Sequence, residues 1–99
     1  MTELPLLACK LPSGEQAERG REFERLRAVA LGRETTAWGA RLRLTGGEDV
    51  ERAVEDLAAR ERACCPVLDI RVERRSGEIW LEIHAPPELR EATARLLVG

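Results

Sequence analysis

Residues 69–84, DIRVERRSGEIWLEIH, hold two runs of alternating apolar and charged residues on either side of Ser76-Gly77. With Leu68 just ahead of it, the first run places Leu68, Ile70 and Val72 on one side, and the second places Ile79, Leu81 and Ile83. A period of two marks a half-buried strand. Two pairing registers keep these apolar sets on a common face. A turn at Ser76-Gly77 sets Arg75 opposite Glu78, Arg71 opposite Glu82 and Asp69 opposite His84, whereas a shift by two residues opposes Glu73 to Glu78 and Asp69 to Glu82. Facing opposite charges help by about a few tenths of a kcal/mol per pair and like charges cost as much, so the hairpin is expected to turn at Ser76-Gly77.

Immediately upstream, EDVERAVEDLAARERACC (residues 48–65) reads as a helix. Val50, Val54, Leu57, Glu61 and Cys64 recur at the 3.6-residue period, and Glu48, Asp49 and Glu51 sit at the start, where the helix dipole favours negative charge. Pro66 forbids continuation and pushes Cys65 toward extended geometry. Before that helix, ETTAWGARLRLTGG (residues 34–47) alternates, with Trp38, Ala40, Leu42 and Leu44 on one side and Gly39, Arg41 and Arg43 on the other. That pattern predicts a single half-buried strand closed by Gly46-Gly47.

LPLLACKL (residues 4–11) is an apolar run of strand length. A helix follows from Ser13, which has the spacing to Gln16 of a capping box; Phe23, Leu26 and Ala30 share its apolar face and Gly32 ends it. PELREATARLLV (residues 87–98) reads as a closing helix, with Pro86 and Pro87 at its entrance and Leu89, Leu96 and Leu97 as its apolar content. The expected order is β-α-β-α-β-β-α over one domain, residues 1–99. Strands with one polar and one apolar face imply an α+β two-layer sandwich, helices on one face of a mostly antiparallel sheet.

Composition narrows the function. A formal net charge of −2 with interspersed signs offers no field for a phosphate backbone, so nucleic acid is not an expected partner. No apolar run approaches the about 20 residues that span a bilayer, and the first residues lack the basic start of a signal peptide, so a cytoplasmic protein off the membrane is expected. Fifteen arginines against one lysine, with no asparagine and one glutamine, suggest a GC-rich genome and a hot habitat. No Ser/His/Asp arrangement and no glycine-rich phosphate loop can be placed, so no catalytic residue is assigned and a non-enzymatic role is expected.

Three cysteines in a reducing compartment point to metal or redox chemistry more than to structural disulfides. Cys64 and Cys65 end a helix whose C-terminal dipole disfavours a lone thiolate and welcomes a cation. With Cys64 inward and Cys65 sideways, both can face Cys9 from the first strand. Soft thiolates select copper(I), zinc, mercury(II) or trivalent arsenic. Glu61, one turn back, and Arg62 are the candidate neighbours of these ligands. His84 points to the opposite face. Buried cysteine packed as a small hydrophobe is the plain structural alternative for the pair.

On the outer sheet face the pattern exposes Trp80 among Arg41, Arg71 and His84, a candidate partner surface for a homodimer, although arginine stems can equally cover the indole. That interaction module is the third reading, after metal binding and a thiol-based sulfur or redox relay.

The string ERACCPVLDI (residues 61–70), with LLACKL upstream and IWLEIHAPP downstream, resembles small bacterial proteins that carry an E-R-x-C-C-P-F-like signature. The resemblance covers most of the chain. Glu61, Arg62, Cys64, Cys65 and Pro66 match, while Val67 replaces the usual aromatic. The group has no established activity, and what the resemblance implies is soft-metal handling. The expected element order is also similar to that of the SirA-like sulfur carriers, but Cys9 is followed by Lys10, Leu11 and Pro12 rather than by their Cys-Pro-x-Pro motif.

Overall fold

The computed structural model describes residues 13–99. The expected first strand, and Cys9 within it, lie outside the described residues. Those described run α1 (Ser13–Val29), β1 (Gly32–Thr36), β2 (Gly39–Thr45), α2 (Glu48–Cys64), β3 (Asp69–Arg75), β4 (Glu78–His84), a 3-10 turn (Pro87–Leu89) and α3 (Arg90–Leu97). The class is α+β. The strands form one antiparallel sheet in the order β1-β2-β4-β3, and helices cover one of its faces.

The second hairpin adopts the register that charge pairing selects. Arg75 faces Glu78, Arg71 faces Glu82 and Asp69 faces His84. Ser76 and Gly77 both take positive φ, 50° and 80°, the backbone of a two-residue turn whose twist matches that of the strands. Ile70, Ile79, Leu81 and Ile83 are consequently buried together with Leu42 and Leu44. Each such side chain contributes about 1.5–3 kcal/mol by leaving water.

The stretch expected as one strand is a hairpin. β1 pairs with β2 from Gly32 opposite Arg43 to Thr36 opposite Gly39, and Ala37-Trp38 forms the turn. Trp38 therefore does not join Ala40, Leu42 and Leu44 on the apolar face. Ala37-Trp38 carries none of the Asn-Gly or Asp-Gly chemistry that announces a tight turn, which is why alternation alone missed it. The special residue is Gly39, at φ 152°, where a Cβ would run into the carbonyl oxygen of Ile83. Gly32 opens β1 instead of stopping the helix, which ends at Val29.

α1 buries Phe23 and lays Leu26 and Ala30 against the core, as its period predicts. α2 buries Val54, Leu57, Ala58, Glu61 and Cys64. α3 buries Ala92, Thr93, Leu96 and Leu97 and packs on β2 and β1, while α2 packs on β3 and α1 on α3. α1 and α2 are tied to each other through charged side chains, and those lead to the cysteines.

Candidate functional site

Cys64 is the last residue of α2 and Cys65 caps it, with φ −128° and ψ 77°. The proline that follows excludes helical geometry for Cys65. The corner is still hydrogen-bonded: the Cys65 N–H donates to the Glu61 carbonyl at 2.8 Å, and the Leu68 N–H donates to the Cys65 carbonyl at 3.1 Å.

Cys64 is inward on the buried face of α2, as expected, and Cys65 is buried as well rather than turned sideways. Cys65 is fully buried and belongs to the hydrophobic core. The Cys64 Sγ–H donates to the Arg60 carbonyl at 3.2 Å. Helical rotation breaks after residue 64, where Cys65 leaves the helical region of the backbone and its side chain joins the core.

Above Cys64 sits Arg19 of α1. Its Nη1 donates to Glu61 Oε1 at 2.6 Å and to Cys64 Sγ at 3.6 Å. Glu61 is only 1% exposed, and its burial pushes the carboxyl above the ordinary carboxylate range although Arg19 pulls it back. Burial also opposes the Arg19 charge, but the hydrogen bonds to Cys64 and Glu61 outweigh it and raise the guanidinium further. Arg60 extends the cluster, donating to Glu22 Oε1 and Asp56 Oδ2, each at 2.9 Å. A recess of about 200 Å³ lined by Glu15, Glu18, Arg19, Glu22 and Arg60 opens on this cluster.

Glu61 therefore stands beside Cys64, as its spacing suggests. Arg62 does not: its Nε and Nη2 both donate to the Ile70 carbonyl, at 3.1 and 2.9 Å, tying the end of α2 to β3. Arg19 is the residue that sequence reasoning missed. It lies 42 positions from Glu61, yet it shares the apolar-face phase of Phe23 and Leu26, and an arginine at that phase must point toward a buried partner. Among the described residues, no group of three or more His, Cys, Asp and Glu is placed to hold a metal ion. Cys9 lies outside them.

The residues assigned to the outer sheet face are together there. Arg41 lies 4.8 Å from the Trp80 ring centroid and Arg75 4.4 Å, and the indole N–H donates to Glu78 Oε1 at 3.1 Å. His84 stacks on Trp38 with centroids 3.9 Å apart. Across the sheet, Glu34, Arg41, Glu82 and Arg71 form one alternating row; Arg41 bonds Glu34 at 3.1 Å and Glu82 at 2.9 Å, while Arg71 turns to Asp69 at 2.6 Å. Burial works to raise the Glu82 carboxyl, and the bonds from Arg41 and His84 overcome it, so its pKa is lowered. The arginine stems cover Trp80 from several sides, a laced polar face in which the indole is only half-buried.

No protein-family model, no curated protein and no solved structure matches this chain. No helix among the described residues is long and apolar enough to cross a membrane.

Proposed function

We propose that the protein binds a soft metal or metalloid through the thiols of Cys64 and Cys65, in a reducing cytoplasm. The observation that carries this reading is the corner itself: consecutive thiols at a helix end fixed by Pro66, one of them drawn into the charged cluster of Arg19 and Glu61. Cysteine that serves only as packing seeks apolar surroundings. Cys64 instead has a guanidinium against its sulfur. Cys65 is fully buried in the core, so a centre held by both thiols requires the corner to open. Cys9 is the candidate third ligand. Cys64→Ser and Cys65→Ser should each abolish stoichiometric binding by the reduced protein, and unchanged affinity in both variants would sink the reading.

The thiol relay is the second reading, favoured by the Arg19 contact, because cationic donors accompany reactive cysteines. It predicts rapid alkylation of Cys64 at pH 6 in the folded protein. Slow labelling there, with full labelling after denaturation, would remove it.

A further inference from the structure

The helices lie on one face of the sheet, and among the described residues no helix packs over Arg41, Glu82 and Trp80 on the other. We propose that this open face is the interface of a homodimer, in which two copies meet face to face about a twofold axis running along the strands between β2 and β4.

The charge pattern selects both the partner and the axis. Glu34, Arg41, Glu82 and Arg71 lie side by side across β1, β2, β4 and β3, so the signs alternate from one edge of the sheet to the other. Turning a second copy about an axis along the strands reverses this row end for end. An alternating row of four, once reversed, presents the opposite sign at every place. Glu34 then meets Arg71 of the second copy and Arg41 meets its Glu82, each pair occurring twice. A twofold axis along the row would instead set like on like. A surface of one sign, such as a phosphate backbone, would be repelled by half of the row, which favours a copy of this chain over nucleic acid.

The neighbouring row obeys the same symmetry. Gly32, Arg43, Trp80 and Glu73 cross the same four strands. Reversal puts the Arg43 guanidinium of each copy over the half-buried Trp80 indole of the other, and Glu73 over Gly32. Cation–π contact of that kind strengthens as water leaves. Neither row sets two like charges together. Sheets stacked face to face cross at about 30°, so the contacts nearest the axis, Arg41 with Glu82 and Arg43 with Trp80, keep their register best. Within each copy Arg41 is already held by Glu34 at 3.1 Å and by Glu82 at 2.9 Å, so association has little left to order there. The cysteine corner ends α2, on the helical side of the sheet, and the interface stands or falls independently of the thiol reading.

The experiment measures the mass of the reduced full-length protein by sedimentation equilibrium, for the wild type, Glu34→Arg, Arg71→Glu and an equimolar mixture of the two variants. Both side chains are about half exposed, at 46% and 57%, so exchanging them leaves the core intact. The wild type should dimerise reversibly, and more weakly as salt is raised. Each variant alone sets two like-charge pairs across the axis and should dissociate at least about tenfold more readily. The mixture restores opposite signs at every place and should recover the wild-type affinity as a heterodimer, a recovery that damage to the fold does not give. A wild type that stays monomeric at every concentration would overturn the proposal. So would a dimer indifferent to salt and to both variants, or variants whose weakened association persists when they are mixed.

Discussion

Arg19 of α1 and Glu61 of α2 meet at 2.6 Å across the gap between two helices, and the same guanidinium nitrogen reaches Cys64 Sγ at 3.6 Å. With side chains 11% and 1% exposed, the pair is largely withdrawn from water. It fixes the position of α1 over the cysteine corner and gives a core-facing carboxylate its counter-charge. Removing one partner of a buried pair leaves the other charge uncompensated, so Arg19→Ala should cost about 3 kcal/mol in urea unfolding. A loss close to zero would mean that α1 does not depend on this bond.

The pH dependence at Glu61 follows from its sign. Burial raises its folded-state pKa above the ordinary 4.5, so the folded protein holds this proton more tightly than the unfolded chain does. Relative to Glu61→Gln, the wild-type protein should lose stability as the pH rises from 4.5 through the raised value, and the difference should then level off. Denaturant midpoints of both proteins across that range give the slope directly, and a difference that grows in favour of the wild type would contradict the assignment.

Glu82 should behave in the opposite way. Burial acts against its charge, but Arg41 and His84 win and lower its pKa below 4.5. Its contribution is present above pH 4.5 and is lost as the pH falls through the depressed value. Acid unfolding of Glu82→Gln should therefore be flatter below pH 4.5 than that of the wild type, and parallel curves would remove the ion-pair account of this row.

Gly20 lies inside α1, where a Cβ would meet nothing within 4 Å. Alanine there restricts the unfolded chain and favours the helix, so Gly20→Ala should stabilise the protein by about 0.5–1 kcal/mol in thermal melts. A destabilisation would show that α1 makes a closer approach at this position than its surroundings indicate.

Gly39 is the contrary case. At φ 152°, with the Ile83 carbonyl where a Cβ would go, Gly39→Ala should cost at least about 1 kcal/mol by prying β2 from β4. Stability equal to that of the wild type would mean that the first hairpin turns elsewhere.

These residues show how far sequence alone reaches. The Ser76-Gly77 hairpin was legible because alternation, turn chemistry and charge pairing all choose one register. The first hairpin was not, since Ala37-Trp38 carries no turn signal and the constraint sits one residue later, on Gly39, as a close approach to a strand that pairs with it only in three dimensions. At the site, Glu61 was legible from its one-turn spacing to Cys64. The burial of Cys65 was not, because the rotation of the chain after a proline-ended helix depends on backbone angles that the residue types leave open. Arg19 could be read only as an arginine on an apolar phase; its partner, 42 positions away, is a product of how α1 and α2 are packed.

The central claim is that Cys64 and Cys65 act together on one thiophilic centre. The most direct measurement loads the reduced full-length protein with copper(I), zinc(II) or arsenous acid against a competing chelator or dithiol and counts bound centres by native mass spectrometry alongside the thiols still open to alkylation. The account predicts one centre per chain, with at least two thiols lost together and both Cys64 and Cys65 among them. No bound centre, with both thiols unreactive until the fold is denatured, would make this corner packing alone and contradict the account.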